Sequence, residues 1–330
     1  MIDTILHAIA ELTAGDSPRF DTAECFPAAL DDRNIDSETL EALSRIVFAL
    51  RSMAWLGSDA PIAAKDARKI MTHLCAVATA ALKRSRSLAL RAKLLYIIDL
   101  QIGNPNIMQI FDNDVAKAWR SALTKSFCRY TANPDLGPEA SDTHLYLIRC
   151  LISYWRNVPA DIRRSSDQYA AISRHISAAA DRLAAAPSPT APDADIDATL
   201  ADLIIVHDSA VILKNHSLSP LYEQKFNAMV QLLALRPDTF TLRRLTMLYD
   251  ASELGYDISR QAPIHRALTT RAPHIATTPP QRLTLLSYII SYISRANIET
   301  AIAHTFSNTK GNPAQALRNQ LNTCTLTDAA

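Results

Sequence analysis

The sequence predicts an all-α protein built from consecutive helical hairpins, and three observations support this fold class. Apolar residues recur at a spacing near 3.6 along the whole chain, without sustained two-residue alternation. Glycine accounts for only 6 of 330 residues, so the positive-φ turns and bulges that β-sheets use are scarce. Prolines and glycines fall between the apolar segments, where they would end helices.

The helix predicted most clearly covers residues 36–56. We expect Asp36 or Ser37 to cap its start, because short polar side chains satisfy the free amide groups there. Gly57 is expected to end it, since glycine adopts the conformation that follows a helix. The apolar side chains repeat along one stripe, which would face a hydrophobic core. This stripe consists of Leu40, Leu43, Ile46, Val47, Leu50 and Ala54.

The same periodicity divides the chain into six helix pairs that start about 40 to 55 residues apart. This spacing overlaps the repeat length of HEAT-like proteins, although no consensus sequence recurs from pair to pair. Six consecutive hairpins fit either an open α-solenoid or a closed α/α toroid. The predicted pairs are 36–56 with 60–85, 86–103 with 112–131, 141–157 with 161–186, 196–214 with 219–235, 240–255 with 262–272, and 280–295 with 297–308.

Three of the predicted helices are apolar on nearly all sides, and we expect them to lie innermost. A helix without a polar face must be covered by neighbouring elements. Burial of one large aliphatic side chain stabilises a fold by about 1.5–3 kcal/mol, so these helices should dominate the core. They contain the apolar residues of segments 94–100, 203–213 and 283–293.

Residues 187–195 form the one predicted linker, because their prolines disfavour a helix. The linker separates an N-terminal helical array, residues 1–186, from a C-terminal helical array, residues 196–330. These arrays are either two domains or one continuous domain. The hairpin register runs on past the linker, which favours one continuous array.

The cysteines and the N-terminal segment predict a cytoplasmic protein. The five cysteines are odd in number and scattered, which is typical of a reducing compartment. Residues 1–15 carry Asp3 and Glu11 and no Lys or Arg, so we interpret them as an amphipathic helix rather than a signal peptide. No apolar run approaches the ~20 residues that span a bilayer, and we expect no membrane association.

The sequence lacks the motifs of common catalytic and cofactor sites, and we predict no cofactor and no metal. Its glycines are never closer than 34 positions apart, whereas phosphate-binding loops need several close together. The nucleophile motifs GxSxG, SxxK and HExxH are also absent. His73 and Cys75 lie two positions apart on a predicted helix and would point away from each other.

An aspartate-rich segment matches a calcium-binding motif only in part. Asp193, Asp195 and Asp197 have the spacing that opens an EF-hand loop. That loop then needs glycine and glutamate, where this chain has Ala198 and Ile204. We therefore expect these aspartates to end the linker and cap the following helix.

Charge is unevenly distributed although the formal net charge is only +1. Residues 67–98 contain seven basic and no acidic residues, which predicts an electropositive face for an acidic partner. Alternatively, these cations close helices and pair with the acidic N-terminal hairpin. The near-neutral net charge argues against a dedicated nucleic-acid-binding protein. The predicted binding residues in this stretch are Arg68, Lys83, Arg84 and Arg91.

Arg149 and Trp155 are the second set of candidate binding residues. Arginine and aromatic residues are enriched at interaction hot spots. Tyr146 and Tyr154 lie nearby in the sequence, so the four side chains could line a groove. The alternative is packing in the core, since these positions need not share one helix face.

Together these features predict a helical scaffold or adaptor that binds another protein, with an acidic protein as partner. The second helices of successive pairs would form its concave face. The alternative is an α/α-toroid enzyme of lyase, hydrolase or prenyl-transfer type with its active site in a central funnel. A further alternative is a subunit of a larger complex, which would expose a large apolar patch when isolated. The sequence favours the scaffold because it offers no convergent set of catalytic residues.

Overall fold

Eleven α-helices account for almost all of the chain that the computed structural model describes. None of the described residues lies in a β-strand, which confirms the predicted all-α class. The described residues are 36–53, 62–102, 113–132, 140–156, 158, 163, 166–191, 194–252 and 258–306.

Three short 3₁₀ turns precede α8, α9 and α10. These turns cover His216–Leu218, Pro237–Thr239 and Ile258–Arg260. The helices are α1 (Ser37–Met53), α2 (Ala64–Arg84), α3 (Leu88–Ile102), α4 (Asn113–Ala132), α5 (Ala140–Trp155), α6 (Asp167–Ala185), α7 (Ile196–Ile212), α8 (Ser219–Leu235), α9 (Leu242–Asp250), α10 (Ala262–Ile275) and α11 (Pro279–Phe306).

Five of the six predicted helix pairs are observed. They are α1 with α2, α3 with α4, α5 with α6, α7 with α8, and α9 with α10. The sixth pair is wrong, because residues 279–306 form one continuous helix of 28 residues. The segment that follows Pro280 up to Phe306 contains no glycine or proline that would interrupt it. Polar residues near the predicted break contact α1 instead. The Ser294 hydroxyl donates to the Ala49 carbonyl at 2.8 Å.

Aspartate caps begin two of the helices where the sequence predicts them. Asp36 Oδ1 accepts hydrogen bonds from the backbone amides of Glu38 (2.9 Å) and Thr39 (2.8 Å) at the start of α1. Asp195 Oδ1 accepts from the Ala198 amide at 3.0 Å at the start of α7. The predicted stop at Gly57 and the predicted helix in residues 1–15 lie outside the described residues.

The first helix of each pair contacts the first helix of the next pair. In this way α1 packs on α3, α3 on α5, α5 on α7, α7 on α9, and α9 on α11. The last described helix, α11, also packs along the first, α1. We call these six helices the inner helices.

Each of the remaining helices packs on one or two of the inner helices. Helix α2 packs on α1 and α3, α4 on α3 and α5, α6 on α5 and α7, α8 on α7, and α10 on α9 and α11. The three helices predicted to lie innermost, α3, α7 and α11, each contact two or more of the other inner helices. Their apolar side chains are mostly buried, as expected, although Val211 near the end of α7 is 45% exposed.

One hydrophobic core extends through the described helices, from Leu40 on α1 to Ile290 on α11. Helices α6 and α7, which flank the predicted linker, pack against each other. The core therefore receives side chains from both sides of that linker. None of the described helices combines the length and the apolar character needed to cross a membrane.

Candidate functional site

A network of charged and aromatic side chains lies among the inner helices, and Arg149 on α5 is at its centre. Arg149 Nε donates to Asp208 Oδ2 on α7 at 2.9 Å. Arg149 Nη1 donates to Asp250 Oδ2 on α9 at 2.9 Å and to the Tyr96 hydroxyl on α3 at 2.8 Å. One guanidinium group thus joins four inner helices, and we call the assembly around it the central network.

A second arginine, Arg45 on α1, also contacts the carboxylate of Asp250. Its Nη2 lies 3.3 Å from Asp250 Oδ1 and 3.4 Å from the Tyr96 hydroxyl. Its guanidinium carbon lies 4.3 Å from the centre of the Tyr288 ring, a cation–π contact. Tyr288 on α11 donates its hydroxyl hydrogen to Asp250 Oδ1 at 3.0 Å. Side chains of α1, α5 and α11 therefore converge on Asp250.

Further ion pairs surround this centre. Lys93 Nζ on α3 lies 3.4 Å from Glu41 Oε2 on α1, and Glu41 Oε1 lies 3.9 Å from Arg45 Nη2. His207 Nδ1 lies 3.3 Å from Asp208 Oδ1. The arginine and lysine contacts pair three cations, Arg45, Lys93 and Arg149, with the three carboxylates Glu41, Asp208 and Asp250, so these charges compensate one another.

Burial and neighbouring groups act in opposite directions on the pKa values of two carboxyl groups, that of Asp208 in the central network and that of Asp99 near it. Burial raises the pKa of Asp208, but Arg149 and the hydrogen bond with His207 outweigh it, so the pKa is lowered overall. Burial raises the pKa of Asp99 on α3 to about 7, although Ser153 Oγ donates to it at 3.0 Å. Asp208 is thus held as an anion, whereas Asp99 titrates near neutral pH.

The two arginines at the centre of the network are buried and already paired. The side chains of Arg45 and Arg149 are 3% and 9% exposed, and both are engaged with carboxylates. A substrate would have to displace existing ion pairs to reach either guanidinium. Paired buried charges can instead fix how helices are placed against one another. Within the described part of the chain, no three His, Cys, Asp or Glu side chains are grouped so that they could hold a metal ion.

A groove on the outside of the molecule runs between α4 and α6. Its volume is ≈ 720 Å³ and its surface is mostly apolar. The lining residues recur every three or four positions on both helices, as expected for two helix faces that flank a channel. On α4 they are Thr124, Phe127, Cys128 and Thr131, and on α6 they are Asp167, Gln168, Ala171, Arg174, His175 and Ala178.

Two histidines pack against each other at the groove. The ring centre of His175 lies 5.1 Å from that of His144 on α5, which in turn lies 5.5 Å from the Tyr130 ring. Neither ring nitrogen of His144 has a hydrogen-bond partner. Burial, with the charges of His175 and Arg182, lowers the pKa of His144 to about 4. Burial also lowers the pKa of His175, so both rings are neutral at pH 7.

Between residues 115 and 132, the exposed charged side chains of α4 are all basic. Residues 115–132 contain no acidic side chain. Arg174 on α6 is also exposed and lines the groove, while Asp167 lies at the first position of α6. The exposed cations of α4 are Lys117, Arg120, Lys125 and Arg129.

The structure places the four basic residues that the sequence suggested as one binding face on α2 and at the start of α3. Arg68 and Lys83 are exposed near opposite ends of α2, about 22 Å apart along the helix axis at 1.5 Å per residue. Arg84 is exposed beside Lys83. Arg91 on α3 is partly buried, and its Nη1 donates to the Leu82 carbonyl at 2.9 Å. Arg91 therefore satisfies the C-terminal end of α2, close to Lys83 and Arg84, whereas Arg68 lies about four helical turns away.

Arg149 and Trp155 agree with the core-packing interpretation of their segment. Arg149 lies in the central network, as described above. Trp155 is 5% exposed, and its ring packs edge-on against Tyr154 at 5.3 Å and Tyr169 at 5.4 Å between ring centres. The two side chains do not line the groove between α4 and α6.

The sequence did not point to the other main members of the central network, Arg45, Asp208 and Asp250. A signal exists for Asp208, which follows the apolar run 203–206 within a helix expected to be innermost. A charged residue in such a helix needs a buried partner. The groove is harder to predict, because it depends on the distance between two helices that are not consecutive in the chain.

Comparisons with protein-family models, with curated proteins and with solved structures find no match to this chain. Its function is therefore inferred from its own groove, charges and packing.

Proposed function

We propose that this chain is an interaction scaffold, a closed ring of helical hairpins that binds a partner protein in the groove between α4 and α6. The groove is the observation that carries this proposal, since it is a mostly apolar channel of ≈ 720 Å³ flanked by two helices. Apolar grooves between helices are recurrent docking sites for protein partners. The partner is acidic in this proposal, because exposed cations accompany the groove on α4.

The packing of α11 along α1 supports a closed toroid over an open solenoid. In an open solenoid each repeat contacts only its neighbours, so the first and last helices stay apart. In a closed ring the first helices of the pairs face inward and leave no concave face for a partner. The proposed binding surface therefore lies on the outer helices.

The alternative function, an enzyme with its active site in the centre of the ring, has less support. A catalytic side chain must come within hydrogen-bond distance of a substrate atom. Arg45 and Arg149 are nearly inaccessible and are already paired with Asp208 and Asp250. Their geometry favours a structural centre.

Filling the groove tests the scaffold function. Ala178→Trp places a large ring in the groove, and Ala184→Trp is the matched control, because Ala184 is also an exposed alanine of α6 and does not line the groove. We expect the partner proteins that co-purify with the wild type to be retained by Ala184→Trp and lost from Ala178→Trp. Circular dichroism and thermal melting check that both variants fold. Equal recovery with all three proteins would show that the groove is not the binding surface.

Small-angle X-ray scattering tests the closed ring. A compact chain of this length has a radius of gyration of about 20 Å. We expect a value close to that figure for the ring. A markedly larger radius with an elongated distance distribution would indicate an open array instead.

A further inference from the structure

We infer that the groove between α4 and α6 receives an amphipathic α-helix with an acidic flank, an inference that rests on the proposed function and names the chemistry of its partner. The first reason is the form of the walls. Both are helix faces whose lining residues recur at three- and four-residue intervals, from Thr124 to Thr131 on α4 and from Asp167 to Ala178 on α6. Such ridges interdigitate with the side-chain ridges of a third helix.

The dimensions of the groove fit about three turns of helix. At 1.5 Å per residue, the lined part of α6 is about 16 Å long and that of α4 about 10 Å. Ala171 and Ala178 are small, so an incoming helix can approach α6 closely. Packed helix axes lie about 8–10 Å apart, with the shorter distances at small side chains.

The apolar surface of the groove favours an occupant that satisfies its own backbone. The groove surface is mostly apolar, and its polar side chains, such as Thr124, Thr131 and Gln168, do not form the regular row of backbone donors and acceptors that a sheet edge presents. A helix satisfies its backbone hydrogen bonds internally and can bury one apolar face without losing them. An extended peptide would meet only scattered side-chain partners here and no continuous row of them for its backbone groups.

The charges indicate how that helix is oriented around its own axis. Arg120 and Lys125 are exposed on α4, one on each side of Thr124, and α4 has no acidic side chain between residues 115 and 132. Arg174 lines the groove from α6. The acidic residue lining the groove, Asp167, lies at the first position of α6, where the helix dipole compensates its charge. A helix with acidic residues along the flank next to α4 would therefore complement the groove.

Cys128 provides a reporter inside the groove. Of the cysteines in the described residues, Cys75 and Cys150 are buried and Cys128 is exposed. Cys25 and Cys324 are replaced by Ser in the full chain, so that a thiol reagent reports on Cys128. A ligand that occupies the groove must slow the reaction of this thiol, whereas a ligand bound elsewhere leaves its rate unchanged.

The probes are three synthetic 18-residue peptides. The first is an amphipathic helix with a Leu and Ala face and Glu on both flanks. The second carries Lys in place of Glu, and the third has the composition of the first with two central residues replaced by Pro, which prevents a helix. Binding is measured by fluorescence anisotropy and groove occupancy by the rate of Cys128 labelling.

We expect the acidic helix to bind and to slow Cys128 labelling, and the Pro peptide to do neither. Exposed ion pairs contribute about 0.2–1 kcal/mol each, so loss of three should make the Lys peptide bind about tenfold more weakly. Lys125→Glu combined with Arg174→Glu should reverse this preference. Arg236→Glu combined with Arg266→Glu, at exposed arginines of the opposite half of the chain, should leave it unchanged.

Several outcomes would overturn the inference. Equal binding of the Glu and Lys helices would show that the occupant needs no acidic flank. Slower labelling of Cys128 in the presence of the Pro peptide would indicate an extended occupant. If neither helical peptide bound, or if one bound without slowing the labelling of Cys128, the proposal that a helix occupies the groove would be wrong. These failures differ from failure of the proposed function, because co-purifying partners that Ala178→Trp loses would still place a partner in the groove.

Discussion

The central network and the groove both contain basic and titratable side chains, but these side chains differ in burial and in ion pairing. In the central network, Arg45 and Arg149 are almost inaccessible and each contacts a carboxylate within 3.3 Å. At the groove, Lys125 and Arg174 are exposed, and no carboxylate is near enough to form an ion pair with either in the described part of the chain.

This difference separates charges that specify the fold from charges that are available to a partner. Buried charges are costly unless paired, so their partners are built into the same chain. Exposed charges cost little to keep and steer association with an oppositely charged molecule. Substitutions in the central network should therefore change stability, and substitutions at the groove should change binding.

Removal of the central arginine should have the largest effect on stability. Arg149→Met keeps much of the side-chain length but leaves Asp208 without its strongest ion pair and Asp250 with one arginine partner fewer. Breaking a buried ion pair from one side costs about 3–5 kcal/mol, and we expect the free energy of unfolding in urea to fall by that amount. Arg266→Met, at an exposed position of α10, should change it by less than about 0.5 kcal/mol. Equal stabilities of the two variants would mean that the central network does not hold the inner helices together.

Removal of one hydroxyl from the central network should have a smaller effect. Tyr288→Phe keeps the ring beneath Arg45 and its edge contact with Tyr249 but loses the hydrogen bond to Asp250. A hydrogen bond to a charged group is worth about 1.5–3 kcal/mol, so a loss of about 2 kcal/mol is expected. Tyr292→Phe on the same helix is the control and should cost less than about 0.5 kcal/mol. Differential scanning calorimetry of both variants would show whether the loss is specific to Tyr288.

Much of the fold could be predicted from sequence because it depends on local patterns. Apolar spacing along one helix identifies α1, and the aspartate caps at Asp36 and Asp195 identify two helix starts. The same local reasoning failed at α11, which it divided between residues 295 and 297. The polar residue Ser294 lies beside that predicted break. Its partner is the Ala49 carbonyl, 245 residues away in sequence. Only the packing of α11 on α1 makes that position internal.

The candidate site could be predicted less well, because charge in a sequence does not reveal its environment. Arg68, Arg91 and Arg149 all belong to helices that the sequence identifies. The structure places one in solvent, one at a helix end and one in the central network. Each environment depends on a neighbour that is distant in sequence or on the direction in which the side chain points. The groove has the same origin, since α4 and α6 are separated by a whole helix.

Acid pH should lower the stability of the folded protein through His144, which packs on His175 beside the groove. The folded-state pKa of His144 is about 4, below its ordinary value of 6.5, so the unfolded chain binds the proton more readily. Its contribution to stability is therefore complete above pH 6.5 and is lost as the pH falls from 6.5 towards 4. His175, Tyr130 and Arg182 face the ring, and the positive charge of Arg182 opposes protonation further.

His144→Phe removes this titration while keeping an aromatic ring in place. Between pH 7 and pH 5, the variant should lose less stability than the wild type, by a difference on the order of 1 kcal/mol. His216→Phe is the control, because His216 is exposed, and its profile should follow that of the wild type. Parallel urea-unfolding profiles for wild type and His144→Phe would show that His144 is solvated in the folded protein.

The smallest effects on stability are expected for substitutions of basic residues in 67–98. These residues should fall into two classes, those that hydrogen-bond to the protein and those that lie in solvent. Arg91→Met removes the hydrogen bonds to the Leu82 and Ser85 carbonyls at 2.9 and 3.2 Å, which should cost about 1 kcal/mol. Arg68→Met, at an exposed position of α2, should change stability by less than about 0.5 kcal/mol. Thermal melting of both variants measures the difference. If Arg68→Met destabilised the protein as much as Arg91→Met, exposure would not separate structural cations from available ones, and the contrast between the central network and the groove would lose its physical basis.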